Sequence, residues 1–440
     1  MYIQRNIDSE LKQWKENKSR KPLILRGARQ VGKSSSIRNL AQYFDYYLEV
    51  NFDDRPEVKT IFEHYNQPKD ICEQLSIFFN MPIIEGKTLV FFDEIQTCIP
   101  AISSLRYFYE KMPNLHIISA GSLLEFVLAE IPSFGVGRIR SMFLYPLSFT
   151  EFLKGLKEEL LLKALQKSSP QEPLAEILHQ KLNNYYKKFL IIGGMPEAVR
   201  HYVEHQDLLE IQRILNDLII SLRADFVKYK HRIDTSRISE VFNAVVNQMG
   251  SKFTYSYPNA SLNNKQIKEI LELLTMAGLI IPVTHSSSNG IPLGAEINPK
   301  KQKYLILDTG IFQRILGVNI SNLMLENDIN FINKGGIAEL FVGLELLKSN
   351  SCYEQSEIYY WQRESKSSQA EVDFVIQKDR EIIPIEVKSG TKGSMQSLYL
   401  FLSEKKKDFG IRLSLENFGS IEHVKIMPIY AIGTYNFIKN

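Results

Sequence analysis

The sequence predicts an α/β protein with four parts: a parallel-sheet unit, a helical extension, a middle unit of two helices and a hairpin, and a second α/β unit. Three observations lead to this fold class. Short apolar strands alternate with helical patterns over residues 1–150, two amphipathic helices precede a hairpin pattern over residues 232–310, and strands and helices alternate again from about Phe331. Apolar strands separated by helices are typical of parallel sheets covered on both faces.

Composition and charge exclude several classes of protein. The chain has 440 residues, 44% of them hydrophobic and 23% charged, as expected of a globular protein of two or three domains. Lys and Arg number 53 against 50 Asp and Glu, so only a local basic patch can hold the chain on nucleic acid. No apolar run approaches the roughly 18 residues of a membrane span, and no secretory h-region is present. We therefore expect a cytoplasmic protein without a membrane partner.

The first unit, residues 1–150, is predicted to contain four strands and a helix after the first of them. Each strand is a short apolar run, and the third is apolar enough to be buried on both faces. The predicted strands are Pro22–Leu25, Tyr47–Phe52, Thr88–Asp93 and Leu115–Ser119, and the helix runs from Lys33 to about Phe44.

The segment between the first strand and the helix fits the phosphate-binding pattern GxxxxGK[ST] at every fixed position. Its residues are Gly27, Ala28, Arg29, Gln30, Val31, Gly32, Lys33 and Ser34, followed by Ser35. Glycines let backbone N–H groups turn towards phosphates, and the helix N-terminus adds partial positive charge. We expect Lys33 to contact the β- and γ-phosphates of ATP and the Ser34 hydroxyl to ligate Mg²⁺.

Paired carboxylates end the third strand. Asp93 is expected to hold Mg²⁺ through water, and Glu94 to polarise the attacking water. Gln96 follows closely and can help to orient the site. A solvated strand end explains many isolated Asp-Glu pairs, but here the phosphate-binding loop predicts the pair.

Two further features are candidates for the same site. Ser122 or Ser119, at the end of the fourth strand, can sense the γ-phosphate, and a simple turn or N-cap role is equally open. Arg138 and Arg140 follow a glycine-containing segment. Such an arginine can act on transition-state charge in this chain or a neighbour's, although a surface role explains it nearly as well.

Residues 151–231 are predicted to form a helical extension, and residues 232–310 a winged helix-turn-helix unit. In the second unit, apolar residues recur at helical spacing from Ile238 to Met249 and from Ile267 to Leu274. Two strands, Leu279–Val283 and Tyr304–Leu307, follow with a polar loop between them. Two helices followed by a hairpin are typical of a winged helix.

The last unit, residues 311–440, contains a carboxylate pattern. Asp373 lies in one predicted strand, and Glu386 and Lys388 share one face of the next. If these strands pair, Asp373 and Glu386 converge on a second Mg²⁺ or Mn²⁺, with Glu339 as a further ligand and Lys388 beside them to orient water. The pattern favours a nuclease-type fold. A charged face on two exposed strands and an inactive site stay open as alternatives.

Two basic clusters are candidates for phosphate contact. One lies within Arg223–Arg232, and the other is Lys300–Lys303 in the predicted hairpin. Such residues bind the nucleic-acid backbone, and a solvated charged face explains them nearly as well. Any DNA contact should therefore be local and strongly weakened by salt.

Together these segments resemble a prokaryotic family of divergent AAA-type ATPases, related to the archaeal-type and signal-transducing ATPases with many domains. That family joins the ATPase to a C-terminal domain of the restriction-endonuclease-like, PD-(D/E)XK kind. The resemblance implies ATP binding and hydrolysis, a winged-helix middle and a nuclease-like end. Ser34 stands where Thr is frequent and retains the hydroxyl. The matching segments are 25–34, 92–96, 120–122, 137–138, 145–152, 193–197, 225–229, 307–310, 371–374 and 385–388.

Two functional hypotheses follow from the sequence. The first is a P-loop ATPase whose nucleotide cycle controls a DNA-binding, nuclease-like domain. The second is an ATP-dependent switch or scaffold that binds DNA or a protein partner and cuts nothing. A phosphotransferase is weaker because no acceptor-site feature is present. The sequence leaves open the oligomeric state and the arginine that completes the ATPase site.

Overall fold

The structure is a computed structural model that describes residues 1–131, 137–229, 233–256, 262–318, 334–364 and 370–434. Its first sheet has five parallel strands in the order β2-β3-β4-β1-β5. The strands are β1 Leu23–Arg26, β2 Tyr46–Asn51, β3 Thr88–Asp93, β4 His116–Ala120 and β5 Arg140–Phe143. Every residue of β3 and β4 is buried, as the apolar runs predict.

Helices cover both faces of this sheet. They are α1 Ile7–Glu16, α2 Lys33–Ala41, α3 Lys59–His64, α4 Pro68–Phe79, α5 Ile99–Lys111 and α6 Leu124–Glu130. Sequence reasoning missed α1 and β5. The polar composition of α1 conceals a buried stripe that includes Leu11 and Trp14, and the edge strand β5 buries only Met142.

Five helices form the extension: α7 Phe149–Gly155, α8 Glu159–Lys167, α9 Glu176–Ile192, α10 Pro196–His205 and α11 Leu208–Ala224. The first two of these helices are separated at Lys157, which has φ 60°. Helix α11 ends at Ala224, and a 3-10 helix follows over Asp225–Tyr229.

The middle unit contains α12 Thr235–Asn247, α13 Asn264–Met276, β6 Ile280–Ser286 and β7 Ile297–Ile306. The two strands form an antiparallel hairpin, as predicted. The hairpin is not a free-standing wing, because β6 also pairs in parallel with β8 of the last unit. The middle and last units therefore share one sheet across residue 310.

The shared sheet has eight strands in the order β12-β13-β11-β10-β9-β8-β6-β7. The remaining elements are α14 Thr309–Ile315, α15 Lys334–Ser349, β8 Ile358–Gln362, β9 Glu371–Lys378, β10 Glu381–Val387, α16 Gln396–Lys405, β11 Gly410–Ser414, β12 Gly419–Ile421 and β13 Val424–Pro428. Strand β9 lies between β8 and β10 and is antiparallel to both, and β11 is parallel to β10. None of the helices in the described ranges combines the length and apolar content that a bilayer crossing requires.

Helix α15 joins the last unit to the first. The buried Glu345 carboxylate accepts a hydrogen bond from the backbone N–H of Phe149, at 3.1 Å. One turn later, Lys348 Nζ donates to the carbonyl of Leu147 at 3.0 Å and lies 3.3 Å from Glu345. Both side chains are almost fully buried, so this junction is part of the core and not a surface contact.

Candidate functional sites

The loop between β1 and α2 is shaped for phosphate. Gly27 has φ 144° and a Cβ there would overlap the carbonyl oxygen of Leu144, so only glycine fits. Gly32, with φ 96°, forms the N-cap of α2. Lys33 is 8% exposed, and its Nζ donates to the carbonyls of Gly27 at 2.8 Å and Ala28 at 2.7 Å. A phosphate group would compete with these carbonyls for the ammonium group.

The ends of β3 and β4 place the predicted acidic residues beside this loop. The Ser34 hydroxyl donates to Asp93 Oδ2 at 2.9 Å, so the two expected Mg²⁺ ligands are adjacent. Glu94 adopts a left-handed backbone with φ 49°. Its Oε2 accepts hydrogen bonds from Gln96 Nε2 at 2.5 Å, from Ser122 Oγ at 3.1 Å and from the Ser122 N–H at 3.3 Å. The hydroxyl and the backbone N–H of Ser122 therefore fix the position of the Glu94 carboxylate.

These side chains line one cavity of about 510 Å³. Burial lowers the pKa of Lys33 to about 8, although Glu94 and Asp93 oppose that shift. Burial raises the pKa of Asp93. The hydroxyl–carboxylate pair supplies hard oxygen atoms that suit Mg²⁺, and the loop suits the phosphates of ATP. The predicted residues in the lining are Arg29, Gln30, Gly32, Lys33, Ser34, Ser35, Asp93, Glu94 and Ser122.

Sequence reasoning missed two arginines at this cavity. Arg200 lies on α10 directly after the Gly193–Glu197 segment, which the sequence marked without assigning it a role. Arg5 precedes α1 and is 5% exposed. Its Nη1 donates to the carbonyl of Val31 at 3.0 Å, and its Nε lies 3.1 Å from Glu151. The helix after Arg5, α1, is polar in composition, so no local pattern marked Arg5 as part of a site.

Three other candidates lie elsewhere. Arg138 is about half exposed and pairs with Glu110, outside the lining of this cavity. Arg140 lies on β5, with its guanidinium 5.4 Å from the ring centre of Tyr353. Ser119 is fully buried within β4 and does not line the cavity.

The C-terminal carboxylates also come together. Strands β9 and β10 pair with Phe374 opposite Ile385, so Asp373 and Glu386 are the next opposed residues. Asp373 Oδ2 accepts the backbone N–H of Val387 at 2.7 Å. Lys388 Nζ donates to Glu386 Oε1 at 2.6 Å.

The expected metal ligand set is not gathered as such, which corrects the sequence-based prediction for Glu339, Asp373 and Glu386. Within the described part of the chain, no three His, Cys, Asp or Glu side chains are grouped as ligands of one ion. The physical reason is that an ammonium group lies among the carboxylates. Lys303 Nζ contacts Glu371 and lies 3.5 Å from Glu339 Oε2.

Burial dominates the electrostatics of this acidic cluster, which consists of Glu339, Glu371, Asp373 and Glu386. Burial, followed by the neighbouring Asp373, raises the pKa of Glu339 to about 8 and that of Glu386 to about 7. Burial lowers the pKa of Lys303, but the surrounding carboxylates outweigh it and raise that pKa above its ordinary value. Glu371 was missed, although its spacing of two residues from Asp373 places both on one strand face.

The basic clusters are only partly available for phosphate contact. Lys303 was expected to face solvent, but it is buried, so this prediction is wrong. Lys301 Nζ pairs with Glu364 at 2.8 Å, and Lys300 is exposed. Arg223 Nη2 donates to Asn243 Oδ1 at 3.1 Å. Residues 230–232 of the first cluster lie outside the described residues.

Three family models match successive parts of the chain. Residues 19–153 match the family model described as "AAA domain". The N-terminal unit is thus similar to AAA-type domains over its sheet and its phosphate-binding loop. Residues 183–322 and 334–432 match two domains of unknown function, DUF8612 and DUF4143. The AAA-type domain thus coincides with the parallel sheet and the phosphate-binding loop described above.

Individual proteins add little to this assignment. An uncharacterized protein of Haemophilus influenzae is 25% identical over 378 residues, which cover 83% of this chain and 81% of that protein. The Aeropyrum pernix Orc1 protein in complex with DNA aligns with a TM-score of 0.31 at 11% identity, covering 73% of this chain and 95% of that one. Thermotoga maritima RuvB gives 0.26 at 11% identity, covering 68% and 92%. At such TM-scores the two structures carry no argument about this chain.

Proposed function

We propose that this protein hydrolyses ATP with Mg²⁺ and that its nucleotide cycle controls a DNA-binding, nuclease-like C-terminal unit. The observation that carries the hydrolytic part is the convergence of Lys33, the Ser34–Asp93 pair and the Ser122-held Glu94 on one cavity. Lys33 would neutralise phosphate charge, and Ser34 and Asp93 would hold Mg²⁺, which supplies charge neutralisation when bound. Glu94 would orient the attacking water and accept its proton.

Control of the remainder of the chain is supported by two contacts of the phosphate-binding loop. Arg29 pairs with Asp225 of the 3-10 helix that leads into the middle unit. On the other side, Gly278 packs against Ala28 so closely that an added Cβ would lie 3.1 Å from the Ala28 side chain. Gly278 precedes β6, the first strand of the hairpin. A change of loop conformation on nucleotide binding would therefore press on the middle unit from two directions.

The nuclease-like assignment is supported by the order of elements, α15-β8-β9-β10-α16-β11, and by Asp373, Glu386 and Lys388 on paired strands. Since the ammonium group of Lys303 lies among these carboxylates, no cleavage step is assigned to them.

The experiment that tests the proposal measures ATP turnover and DNA cleavage together. Plasmid, linear and branched DNA are incubated with Mg²⁺ or Mn²⁺, with and without ATP. We expect Lys33→Ala to lose nucleotide affinity and Glu94→Gln to bind ATP without hydrolysing it. If cleavage occurs and Lys388→Ala leaves it unchanged, the C-terminal assignment is wrong. If Glu94→Gln hydrolyses ATP at an undiminished rate, Glu94 does not orient the attacking water.

A second candidate function is an ATP-dependent switch or scaffold that binds DNA or a protein partner and cuts nothing. The presence of Lys303 within the acidic cluster favours it, because a permanent internal ammonium would exclude a catalytic metal. ATP-dependent DNA binding without metal-dependent cleavage of any of the three DNA forms would select this candidate.

A further inference from the structure

We propose that Lys303 is a tethered cation that closes the acidic cluster, and that a divalent cation binds there only when this lysine withdraws. The inference rests on the proposed function and deepens it, because it concerns control of the C-terminal site. It explains why the carboxylates of the acidic cluster do not form a metal ligand set as they stand, since Lys303 occupies the place of the cation.

The first argument is that Lys303 comes from a different unit of the chain than the carboxylates around it. It belongs to β7, in the hairpin of the middle unit, whereas Glu339 lies on α15 and Glu371 on β9. The lysine side chain is only 4% exposed. Burying an ammonium group is costly unless carboxylates surround it closely. Glu371, in contact, and Glu339 Oε2, 3.5 Å away, supply the opposite charge, although Lys303 Nζ makes no hydrogen bond of regular geometry with the described residues.

The charge of the acidic cluster is the second argument. With all four carboxylates ionised, the cluster would carry four negative charges against the two positive charges of Lys303 and Lys388, a formal excess of two negatives. One divalent cation would neutralise that charge. It would also be repelled by an ammonium group within a few ångströms, so the ion and Lys303 compete for the same carboxylates.

The third argument is that two buried polar atoms at the cluster lack partners. Glu386 is 6% exposed, and its Oε2 has no hydrogen-bond partner among the described residues, while Oε1 receives Lys388. The hydroxyl of Tyr360 is also buried without a described partner, and the ring of Tyr360 lies 5.2 Å from Lys303 Nζ. Buried polar atoms normally find partners, so these two point to a missing ligand.

Withdrawal does not require the strand to move. A lysine has a flexible four-carbon stem, so its ammonium group can leave by rotation of side-chain bonds. Lys301, two residues earlier in the same strand, directs its ammonium group at Glu364, 2.8 Å away. The two lysines thus give a matched pair, one within the cluster and one outside it.

The first test measures Mn²⁺ binding to the full-length protein without nucleotide, by calorimetry. Binding at the acidic cluster is the part of the heat signal that Asp373→Asn removes, because Mn²⁺ binding at the phosphate-binding loop does not depend on Asp373. We expect Lys303→Met to bind Mn²⁺ at least about tenfold more tightly than the unchanged protein. The matched control, Lys301→Met, should bind with unchanged affinity.

The second test needs no substitution at Lys303. Reductive methylation followed by peptide mass spectrometry reports the exposure of each lysine. Lys303 should resist methylation without metal and become modified at saturating Mn²⁺, whereas Lys301 should react in both cases. This measurement decides the question even if Lys303→Met fails to fold.

Two results would overturn the proposal in distinguishable ways. Asp373-dependent Mn²⁺ binding that is not tightened by Lys303→Met, with Lys303 still protected, would refute the competition alone and leave the proposed function standing. Absence of Asp373-dependent binding in both proteins would refute the competition and the nuclease-like assignment together. The ATPase assignment would survive either result, since Glu94→Gln tests it separately.

Discussion

Ser122 is expected to act on ATP hydrolysis through Glu94 and not through the phosphates. Its hydroxyl donates one of the three hydrogen bonds that Glu94 Oε2 accepts, at 3.1 Å. A hydrogen bond to a charged group contributes about 1.5–3 kcal/mol. Because Gln96 and a backbone N–H still hold the carboxylate in Ser122→Ala, we take the lower figure, which corresponds to roughly a tenfold fall in kcat.

A double-mutant cycle tests this reasoning. Steady-state ATP hydrolysis is measured for Ser122→Ala, for Glu94→Gln and for the double variant, with nucleotide affinity measured in parallel. Glu94→Gln alone should lower kcat by about 10² to 10⁴, the usual range for a lost general base. In that background, removal of the Ser122 hydroxyl should change the residual rate by less than about twofold, since its partner is already altered.

The control for this cycle is Ser119→Ala, three residues earlier, which lies outside the cavity and should leave kcat unchanged. Losses that simply multiply in the double variant would show that Ser122 and Glu94 act independently. A Ser122→Ala variant with weakened ATP binding and normal kcat would instead indicate direct contact with phosphate. Either result refutes positioning through Glu94.

Three further predictions follow from the same geometry. Burial lowers the pKa of Lys33 to about 8, so the ammonium group is progressively lost above that pH and nucleotide affinity should fall there. Nucleotide binding near pH 8.5 should therefore take up a proton. Calorimetry in two buffers of different ionisation enthalpy measures this uptake. Arg5→Met should lower the free energy of unfolding by about 3–5 kcal/mol in urea titrations, because it strands the buried Glu151 carboxylate, and Glu151→Gln in that background should restore part of the loss. Gly27→Ala should weaken ATP binding by about tenfold or more, whereas Gly290→Ala, which meets open space, should not.

The N-terminal site could be predicted well because its signals are local. A glycine pattern between a strand and a helix fixes the conformation of the phosphate-binding loop, and Asp93 and Glu94 follow a strand whose six residues are all buried. The contact between Glu94 and Ser122 could not be read from the chain, because it depends on β3 and β4 being neighbours. Arg5 escaped prediction for the same reason, since its partners lie 26 and more than 140 residues away.

The C-terminal site could be predicted only in part. Strand alternation correctly placed Glu386 beside Lys388 and opposite Asp373. Sequence reasoning placed Lys303 on the surface, in contact with phosphate or with solvent, since a lysine in a polar hairpin is usually solvated. Its burial follows from the pairing of β6 with β8, a long-range contact that no local pattern encodes.

Helix α15 has a practical consequence for anyone who wishes to study the C-terminal unit alone. Its first half presents Glu339 to the acidic cluster, while its second half buries Glu345 and Lys348 against the backbone of residues 147–149. A fragment beginning near residue 334 would expose the apolar flank of this helix and leave both charges without their backbone partners. We expect such a fragment to aggregate, so that dissection of this protein has to proceed by point substitution and not by truncation.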